Sequence, residues 1–246
     1  MRSGSFLTPC SPREPASPLQ RWLPLFFFSS LLAHAAHPQQ FSDFTTPLPL
    51  KDGETLVLGI VGAWQHWDTD HYLVRRVHNH LRALELPNVH IETVENHRLE
   101  LAKELIDKAF PNGNHRIILY GHSLGGAATV SLARYLQKKN IPVLLTVQVD
   151  SVGFRDGKIP ANVQRAANLY QRDFGPIRGQ SRIKAQDKTK TEILGNWRYR
   201  YPPTRIVPAL GAPLYHNLLA IPHHKMEYDP EVWLKLETLI LSALTH

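Results

Sequence analysis

The chemistry of this chain is expected to centre on a serine that lies between two glycines. Residues 121–125 read GHSLG and match the pattern G-x-S-x-G, in which the serine is Ser123. A serine hydroxyl is a poor nucleophile at neutral pH, so it needs a histidine to accept its proton and an acid to orient that histidine. Aspartates and histidines both follow Ser123 along the chain. The pattern therefore predicts nucleophilic catalysis by Ser123.

The segments on either side of this motif predict a strand, a sharp turn and a helix. Residues 116–120 are short, β-branched and apolar, as a buried strand is, and residues 126–136 have the composition of a helix. The glycines Gly121 and Gly125 allow the helix to pack close to the strand. The backbone N–H groups and the positive dipole end at the start of the helix then point toward the serine.

The run GHSLGG after an apolar strand resembles the nucleophile elbow of the lipase and esterase branch of the α/β-hydrolase superfamily. The resemblance extends over most of the chain, from about Leu56 to the C-terminus. It implies an α/β fold with a mostly parallel sheet, helices on both faces, and a small lid or flap inserted before the last helix. It also implies a catalytic domain over residues 53–246, with the chain order serine, acid, histidine in the active site.

Asp150 is the first candidate for the acid. It follows an apolar strand, residues 142–149, which comes directly after the helix that follows Ser123. Some lipases of the family that the chain resembles carry the acid at this position, whereas many members carry it one strand later. Asp173, at the end of residues 169–173, is therefore the alternative acid.

His223 is the first candidate for the base. In the family, the histidine lies in a loop just before the last helix, often with an apolar residue three places on and Asp-Pro from six places on. His223 fits both positions, with Met226 and the pair at 229–230. His224 misses both by one and is the alternative base, and His216 is a third candidate.

Two backbone N–H groups are expected to bind the oxyanion that forms when a serine attacks a carbonyl. The resemblance implies the N–H of Leu124, the residue after the nucleophile, as the first donor. The second donor should follow the first strand, where Ala63 is preferred and Trp64 is the alternative. The chain lacks the His-Gly pair that many lipases carry at this position.

Apolar periodicity predicts the elements that must hold these residues. Runs typical of strands lie at residues 56–61, 89–94, 117–120, 142–149 and, with period two, 193–201. Helical spacing begins at Leu73, at about Arg98, after Ser123 and after Asp229, while residues 161–170 suit either a helix or a strand. Alternating strands and helices predict a parallel sheet, and ligand sites of such sheets lie at the carboxyl ends of the strands. Ser123 and Asp150 both fall there.

Composition is that of one globular domain with a basic surface. The chain has 246 residues, 43% of them hydrophobic and 20% charged, and a formal net charge of +7. Residues 178–205 are rich in Lys and Arg and are a candidate contact for an anionic surface or polymer. No nucleic-acid motif accompanies the charge, and no HExxH, Cys/His cluster or acidic calcium loop occurs. We therefore expect neither a metal nor a cofactor.

The first 36 residues are expected to be a leader. Residues 22–36 form an apolar run preceded by arginines, and residues 33–35 offer an A-x-A cleavage site. A secretory signal peptide is predicted, which implies a secreted or periplasmic protein, with an uncleaved N-terminal membrane anchor as the alternative. The single cysteine, Cys10, cannot form an internal disulfide. Residues 37–52 are polar, contain prolines and are predicted to be a linker.

The expected function is that of a secreted serine hydrolase of the esterase, lipase or thioesterase type. Its substrate would be a small-molecule or lipid ester or thioester, cleaved through a Ser–Asp–His triad and an acyl-enzyme. Two alternatives stay open. The same triad could act on a polymer, a lipid-linked glycan or an amide, or the fold could serve as a non-catalytic binding protein.

Overall fold

Strands and helices alternate along the described part of the chain, which is residues 37–113, 115–208 and 221–245 of the computed structural model. The strands in these ranges are β1 (Thr55–Val61), β2 (Val89–Glu95), β3 (Ile117–His122), β4 (Val143–Val149), β5 (Lys158–Ile159), β6 (Val163–Tyr170), β7 (Lys184–Ala185) and β8 (Glu192–Arg198). The α-helices are α1 (Leu73–Ala83), α2 (Leu99–Ala109), α3 (Leu124–Lys138), α4 (Pro222–Tyr228) and α5 (Pro230–Leu244). None of these helices is both long enough and apolar enough to cross a membrane.

Six of the strands form one parallel sheet with the order β2-β1-β3-β4-β6-β8. Every neighbouring pair in it runs parallel. The short strands β5 and β7 pair with each other in a separate small sheet. The predicted α/β fold with a mostly parallel sheet is confirmed.

The main sheet buries apolar side chains on both of its faces. In β1, Leu56, Leu58 and Ile60 belong to a core that includes residues of α2 and α3. Val57 and Val61 belong to a second core with residues of α1 and α5. Because side chains alternate along a strand, a wholly apolar strand such as β1 suits a sheet that is covered on both faces. The helices lie on both faces, as the sequence predicts.

Two stretches of the second half of the chain complete the sheet. Residues 161–170, which suit a helix or a strand in sequence, contain β6 (Val163–Tyr170) between β4 and β8, and Ala166 and Leu169 in it are fully buried. The period-two stretch forms β8, whose residues are partly exposed because β8 is the edge strand. Its predicted half-exposed character follows from that position.

Residues of the predicted linker, 37–52, contact the sheet and its core. Gln39 is fully buried, and its side-chain amide donates a hydrogen bond of 2.7 Å to the carbonyl oxygen of Thr93 in β2. Leu50 is buried in the core that contains α2. Residues 38–52 belong to the same compact unit as the sheet, Pro38–His246.

The region before the last helix differs from the expected loop. Residues 222–228 form the short helix α4, which begins with a proline whose fixed φ suits the first helical position. His223 therefore lies on a helix rather than in a loop. The flap expected before the last helix falls partly on residues 209–220, outside the described residues, as do His216 and the leader predicted for residues 1–36.

Two glycines allow α3 to approach the sheet closely. A Cβ atom added at Gly125 would lie 2.0 Å from the carbonyl oxygen of Ile60 in β1. One added at Gly121 would lie 2.4 Å from the carbonyl oxygen of Gly125. Both contacts are with backbone, which cannot rotate away as a side chain does. The two glycines of the motif are therefore required by packing around the turn that carries Ser123.

Replacing Gly125 by alanine should destabilise the fold. Because the new methyl group meets the β1 backbone, we expect the free energy of unfolding to fall by about 3 kcal/mol or more. Denaturant unfolding at equilibrium measures this loss. The matched control is Ser131→Ala on the exposed side of the same helix, which should change stability by less than about 0.5 kcal/mol. Equal stability of the two variants would contradict the close packing of α3.

Candidate active site

Ser123 occupies the sharp turn between β3 and α3. Its backbone has φ 57° and ψ −124°, an unusual conformation for a residue other than glycine. The turn is held by a hydrogen bond of 3.0 Å from the Ser123 N–H to the carbonyl oxygen of Val149 in the neighbouring strand β4. The Ser123 side chain makes no capping hydrogen bond to α3, although the residue stands at the N-cap. Its hydroxyl is thus left to interact across the edge of the sheet.

His223 lies between Ser123 and Asp150. Its Nε2 atom is 3.0 Å from the Ser123 hydroxyl oxygen, and its Nδ1 atom is 2.6 Å from Oδ2 of Asp150. All three residues are buried, and Asp150 is completely so. A neutral histidine that donates Nδ1–H to the carboxylate presents the Nε2 lone pair to the serine hydroxyl. The hydrogen bonds therefore run in series from serine to histidine to aspartate.

Asp150 is fixed by the strand beside it. Its N–H donates a hydrogen bond of 2.7 Å to the carbonyl oxygen of Leu169 in β6. Its carboxylate accepts two hydrogen bonds from Gln171, one from the backbone N–H at 3.0 Å and one from the side-chain amide at 2.9 Å. Together with His223, these donors satisfy a buried negative charge. Sequence reasoning did not select Gln171, although it directly follows β6 at the same edge of the sheet.

The two alternative site residues do not occupy the same positions. Asp173, the alternative acid, has other partners, and His224, the alternative base, lies beside His223. Asp173 pairs with the guanidinium of Arg198 at 3.1 Å and accepts the backbone N–H of Tyr201. It is not among the partners of His223. His224 follows His223 on α4, with ring centroids 6.1 Å apart, and lines the same cleft.

A cleft of about 340 Å³ opens over Ser123 and His223. Ala63 and Trp64, in the loop after β1, line it together with Ile177. The indole of Trp64 is 96% exposed, and its backbone has φ 55°. Leu124 is the first residue of α3, and N–H groups in the first turn of a helix have no acceptor within that helix. Ala63 and Trp64 thus border the cleft from the loop after β1, and Leu124 follows Ser123 at the start of α3.

A second acidic residue, Glu227, is buried beside this cleft. It lies one helical turn after His223 on α4, and its Oε1 atom accepts a hydrogen bond of 2.5 Å from the side-chain amide of Gln65. Burial raises the pKa of Glu227 to about 8, although Gln65, the backbone of Leu73 and the charge of Arg76 act in the opposite direction. Glu227 is therefore largely uncharged at neutral pH.

His122, inside the motif, does not compete as a base. Its ring stacks on that of His223, with centroids 4.8 Å apart and an interplanar angle of 25°. Burial, together with the neighbouring His223 and His224, lowers the pKa of His122 well below its usual value. Its Nδ1 atom is 3.6 Å from Oε1 of Glu227. His122 is therefore a neutral ring that packs between His223 and Glu227.

Comparison with solved structures gives several likenesses. The chain is similar to a solved structure described as a novel cutinase-like protein from Cryptococcus sp., with a TM-score of 0.44 and 13% sequence identity over 78% of this chain and 95% of that chain. No family model and no curated protein sequence matches the chain. The protein is therefore characterised by its own structure. It has a parallel α/β sheet, and a serine, a histidine and an aspartate are hydrogen-bonded in series at the carboxyl edge of that sheet.

Replacing Glu227 by glutamine should change how stability depends on pH. A carboxyl group with a raised pKa in the folded state favours folding while it is protonated, so wild-type stability should fall as pH rises from about 4.5 to about 8. Glutamine stays neutral and removes this slope, which amounts to at most about 1.4 kcal/mol per pH unit. Glu227→Gln should therefore gain stability relative to wild type between pH 5 and pH 8.5, as measured by denaturant unfolding.

The control for this experiment is Glu92→Gln. Glu92 is also buried, but it accepts hydrogen bonds from Thr45 and Thr46, away from the cleft. We expect Glu92→Gln to be less stable than wild type at pH 5 and at pH 8.5, and the difference in stability should not shrink at pH 8.5. A Glu227→Gln variant that follows the wild-type pH dependence would show that Glu227 does not titrate in this range.

Proposed function

We propose that the protein is a serine hydrolase that cleaves carboxylic esters or thioesters through an acyl-enzyme on Ser123. The observation that carries this proposal is the series of two hydrogen bonds, 3.0 Å and 2.6 Å, that joins Ser123, His223 and Asp150. A positioned base and an orienting acid are what a serine needs to act as a nucleophile. Ser123 is the nucleophile, His223 the base and Asp150 the acid of this proposal.

The reaction would proceed in two halves. As the Ser123 oxygen attacks the substrate carbonyl carbon, Nε2 of His223 takes the hydroxyl proton, and the carboxylate of Asp150 stabilises the resulting imidazolium. The tetrahedral intermediate collapses when the bond to the leaving oxygen or sulfur breaks, and His223 gives its proton to that atom. Water then attacks the acyl-serine, His223 accepts a proton from it and returns one to Ser123, and the acid leaves.

The oxyanion of each intermediate would be bound by backbone N–H groups. Leu124 supplies the first in this proposal and Ala63 the second, with Trp64 as the alternative. Ala63 and Trp64 line the cleft that contains Ser123, and Leu124 directly follows Ser123 at the start of α3. Such donors are typically worth about 3 kcal/mol each in the transition state.

The surroundings of the cleft favour an acyl group with an apolar part. The Trp64 indole is 96% exposed and the Leu124 side chain 41% exposed next to Ser123, and Ile177 lines the cleft. Exposed apolar side chains at a cleft supply favourable contact for an apolar ligand. A small-molecule or lipid ester therefore fits the site. Export by the predicted leader, with a secreted or periplasmic location, is part of the same proposal.

A polymeric or anionic substrate is the second candidate, and the basic region favours it. Residues 178–205 hold eight Lys and Arg against two acidic residues, so they supply six of the seven net positive charges. Arg182, Lys184 and Lys188 line a second cleft, of about 500 Å³, which shares no lining residue with the cleft at Ser123. In this proposal the basic cleft docks an anionic surface or polymer while Ser123 carries out the same chemistry.

Covalent labelling tests the nucleophile and the base. A fluorophosphonate should give one adduct on wild-type protein, located at Ser123 by peptide mapping, and none on Ser123→Ala. His223→Ala should label on the order of 10³-fold more slowly, because the serine loses its base. His224→Ala is the matched control and should label at a rate within about threefold of wild type. If folded wild-type protein is not labelled, the result would instead favour a non-catalytic binding protein.

Kinetics of a p-nitrophenyl ester test the acid. Asp150→Asn should lower kcat by roughly 10³- to 10⁴-fold, because an amide that donates to Nδ1 favours the wrong tautomer of His223. Asp173→Asn, which alters an aspartate paired with Arg198, should leave kcat within about twofold. If the Asp173 variant lost activity and the Asp150 variant kept it, the assignment of the acid would be wrong.

A further inference from the structure

A chain of hydrogen bonds outside the proposed triad joins the helix of the base to the loop after β1. The backbone N–H of Gly62 donates to Oε1 of Gln65 at 2.8 Å, and the side-chain amide of Gln65 donates to Oε1 of Glu227 at 2.5 Å. Glu227 and Gln65 are separated by 162 residues along the chain. The contact therefore fixes two distant segments relative to each other, one carrying His223 and the other Ala63.

The loop after β1 depends on these contacts for its position. Residues 62–65 form a turn in which the N–H of Gln65 approaches the carbonyl oxygen of Gly62 at 3.4 Å. Trp64, at the tip, has a positive φ and an almost fully exposed side chain, so its indole does not anchor the loop in the core. The same Gly62 carbonyl accepts a hydrogen bond of 2.6 Å from the Asn96 side chain. Polar contacts at the base of the turn thus hold it.

We propose that Gln65 and Glu227 are positioning residues that hold the Ala63 N–H in place for the oxyanion. This inference rests on the proposed ester hydrolysis. An oxyanion donor is effective only when it is fixed before the charge develops, since reorganisation during the reaction would cost energy. A hydrogen bond from the loop to the helix of the base fixes the donor relative to His223, and Ser123 is hydrogen-bonded to His223. Glu227 touches no reacting atom in this proposal.

The surroundings of Glu227 suit an acceptor for Gln65 better than a second base. The titratable and charged groups that act on it are His122 at the end of β3 and Arg76 from α1. His223 and His224 line the same cleft from its own helix. Burial keeps the pKa of Glu227 raised, so at neutral pH the carboxyl is mostly uncharged. An uncharged carboxyl still accepts through its carbonyl oxygen, which predicts that glutamine can replace it.

Steady-state kinetics of a p-nitrophenyl ester test the proposal with wild type and five variants. Gln65→Leu and Glu227→Ala should each lower kcat about 10- to 100-fold with KM within about twofold, because a displaced oxyanion donor weakens the transition state more than the bound ester. The double variant should lose no more than either single variant, since both cut the same chain of contacts. Glu227→Gln should recover most of the loss, and the control Glu92→Gln should leave kcat unchanged.

Several results would overturn the proposal. Gln65 is only partly buried, so Gln65→Leu is expected to fold even if Glu227→Ala does not. A kcat of Gln65→Leu equal to wild type, losses that add in the double variant, or a glutamine variant as slow as the alanine variant would each contradict a positioning role. An equal loss in Glu92→Gln would indicate a general effect of removing a buried carboxylate.

A measurement without substrate separates this proposal from the proposed function. In ¹⁵N-labelled Ser123→Ala protein, the Gln65 side-chain amide should shift as Glu227 titrates, with a midpoint near the pKa of about 8, and this shift should vanish in the additional variant Glu227→Gln. A titrating amide in a protein whose wild type hydrolyses no ester would refute the function and keep the contact. Hydrolysis by wild type, with a Gln65 amide that neither titrates nor shifts when Glu227 is replaced by glutamine, would refute the contact and keep the function.

Discussion

The close approach of helix α3 to the sheet is the constraint on which the site depends. Gly125 lies against the carbonyl group of Ile60, and no residue with a side chain fits there without moving the β1 backbone. The chain must therefore turn within one residue between β3 and α3, and that residue, Ser123, takes a backbone conformation that costs on the order of 1–3 kcal/mol. The N–H of Ser123 bonds to β4, and its carbonyl oxygen accepts the N–H of Val152. Packing and hydrogen bonds together hold the strained turn.

The positions of the other residues of the candidate active site follow from the order of the strands. Strands β3, β4 and β6 are neighbours, so the residues at their carboxyl ends meet, and Ser123, Asp150 and Gln171 are three such residues. The histidine comes from elsewhere, 100 residues after Ser123. Its helix is held at the corner between α4 and α5 by Asp229, which caps α5 through the N–H of Glu231.

That corner is also fixed from the side of the sheet. The Asp229 carboxylate accepts a hydrogen bond of 2.7 Å from the Tyr201 hydroxyl and pairs with the guanidinium of Arg205 at 2.5 Å. Tyr201 itself is fully buried in the core that contains α5. The position of His223 is thus set by a capping residue six places away, which explains physically why the spacing from histidine to Asp-Pro is informative.

The sequence allows the elements to be predicted wherever one local signal dominates. The strand and helix around Ser123 are strongly patterned, and the resemblance to the α/β-hydrolase superfamily then implies Asp150 and His223 from strand order and spacing. Residues 161–170 mix buried apolar and exposed polar positions, as Gln164 shows, so their type is decided only by pairing with β4 and β8. The role of residues 37–52 depends likewise on contacts with β2, which periodicity does not encode.

Contacts between distant segments cannot be predicted from the sequence, because local periodicity does not encode them. Gln65 and Glu227 carry no local pattern, although Glu227 lies four places after His223 and so on the same side of α4. The structure gives the two carboxyl groups near the cleft different surroundings. Asp150 receives hydrogen bonds from His223 and twice from Gln171, whereas Glu227 receives the Gln65 amide and backbone support from Leu73.

This difference matters for the histidine between them. Burial raises the pKa of Glu227 to about 8, so near neutral pH the negative charge beside His223 is that of Asp150. A single carboxylate on the Nδ1 side selects the tautomer with its proton on Nδ1 and leaves the Nε2 lone pair toward Ser123. A charged Glu227 would add a second negative charge beyond the stacked ring of His122. With Glu227 uncharged, Asp150 is the carboxylate that orients His223 in the proposed chemistry.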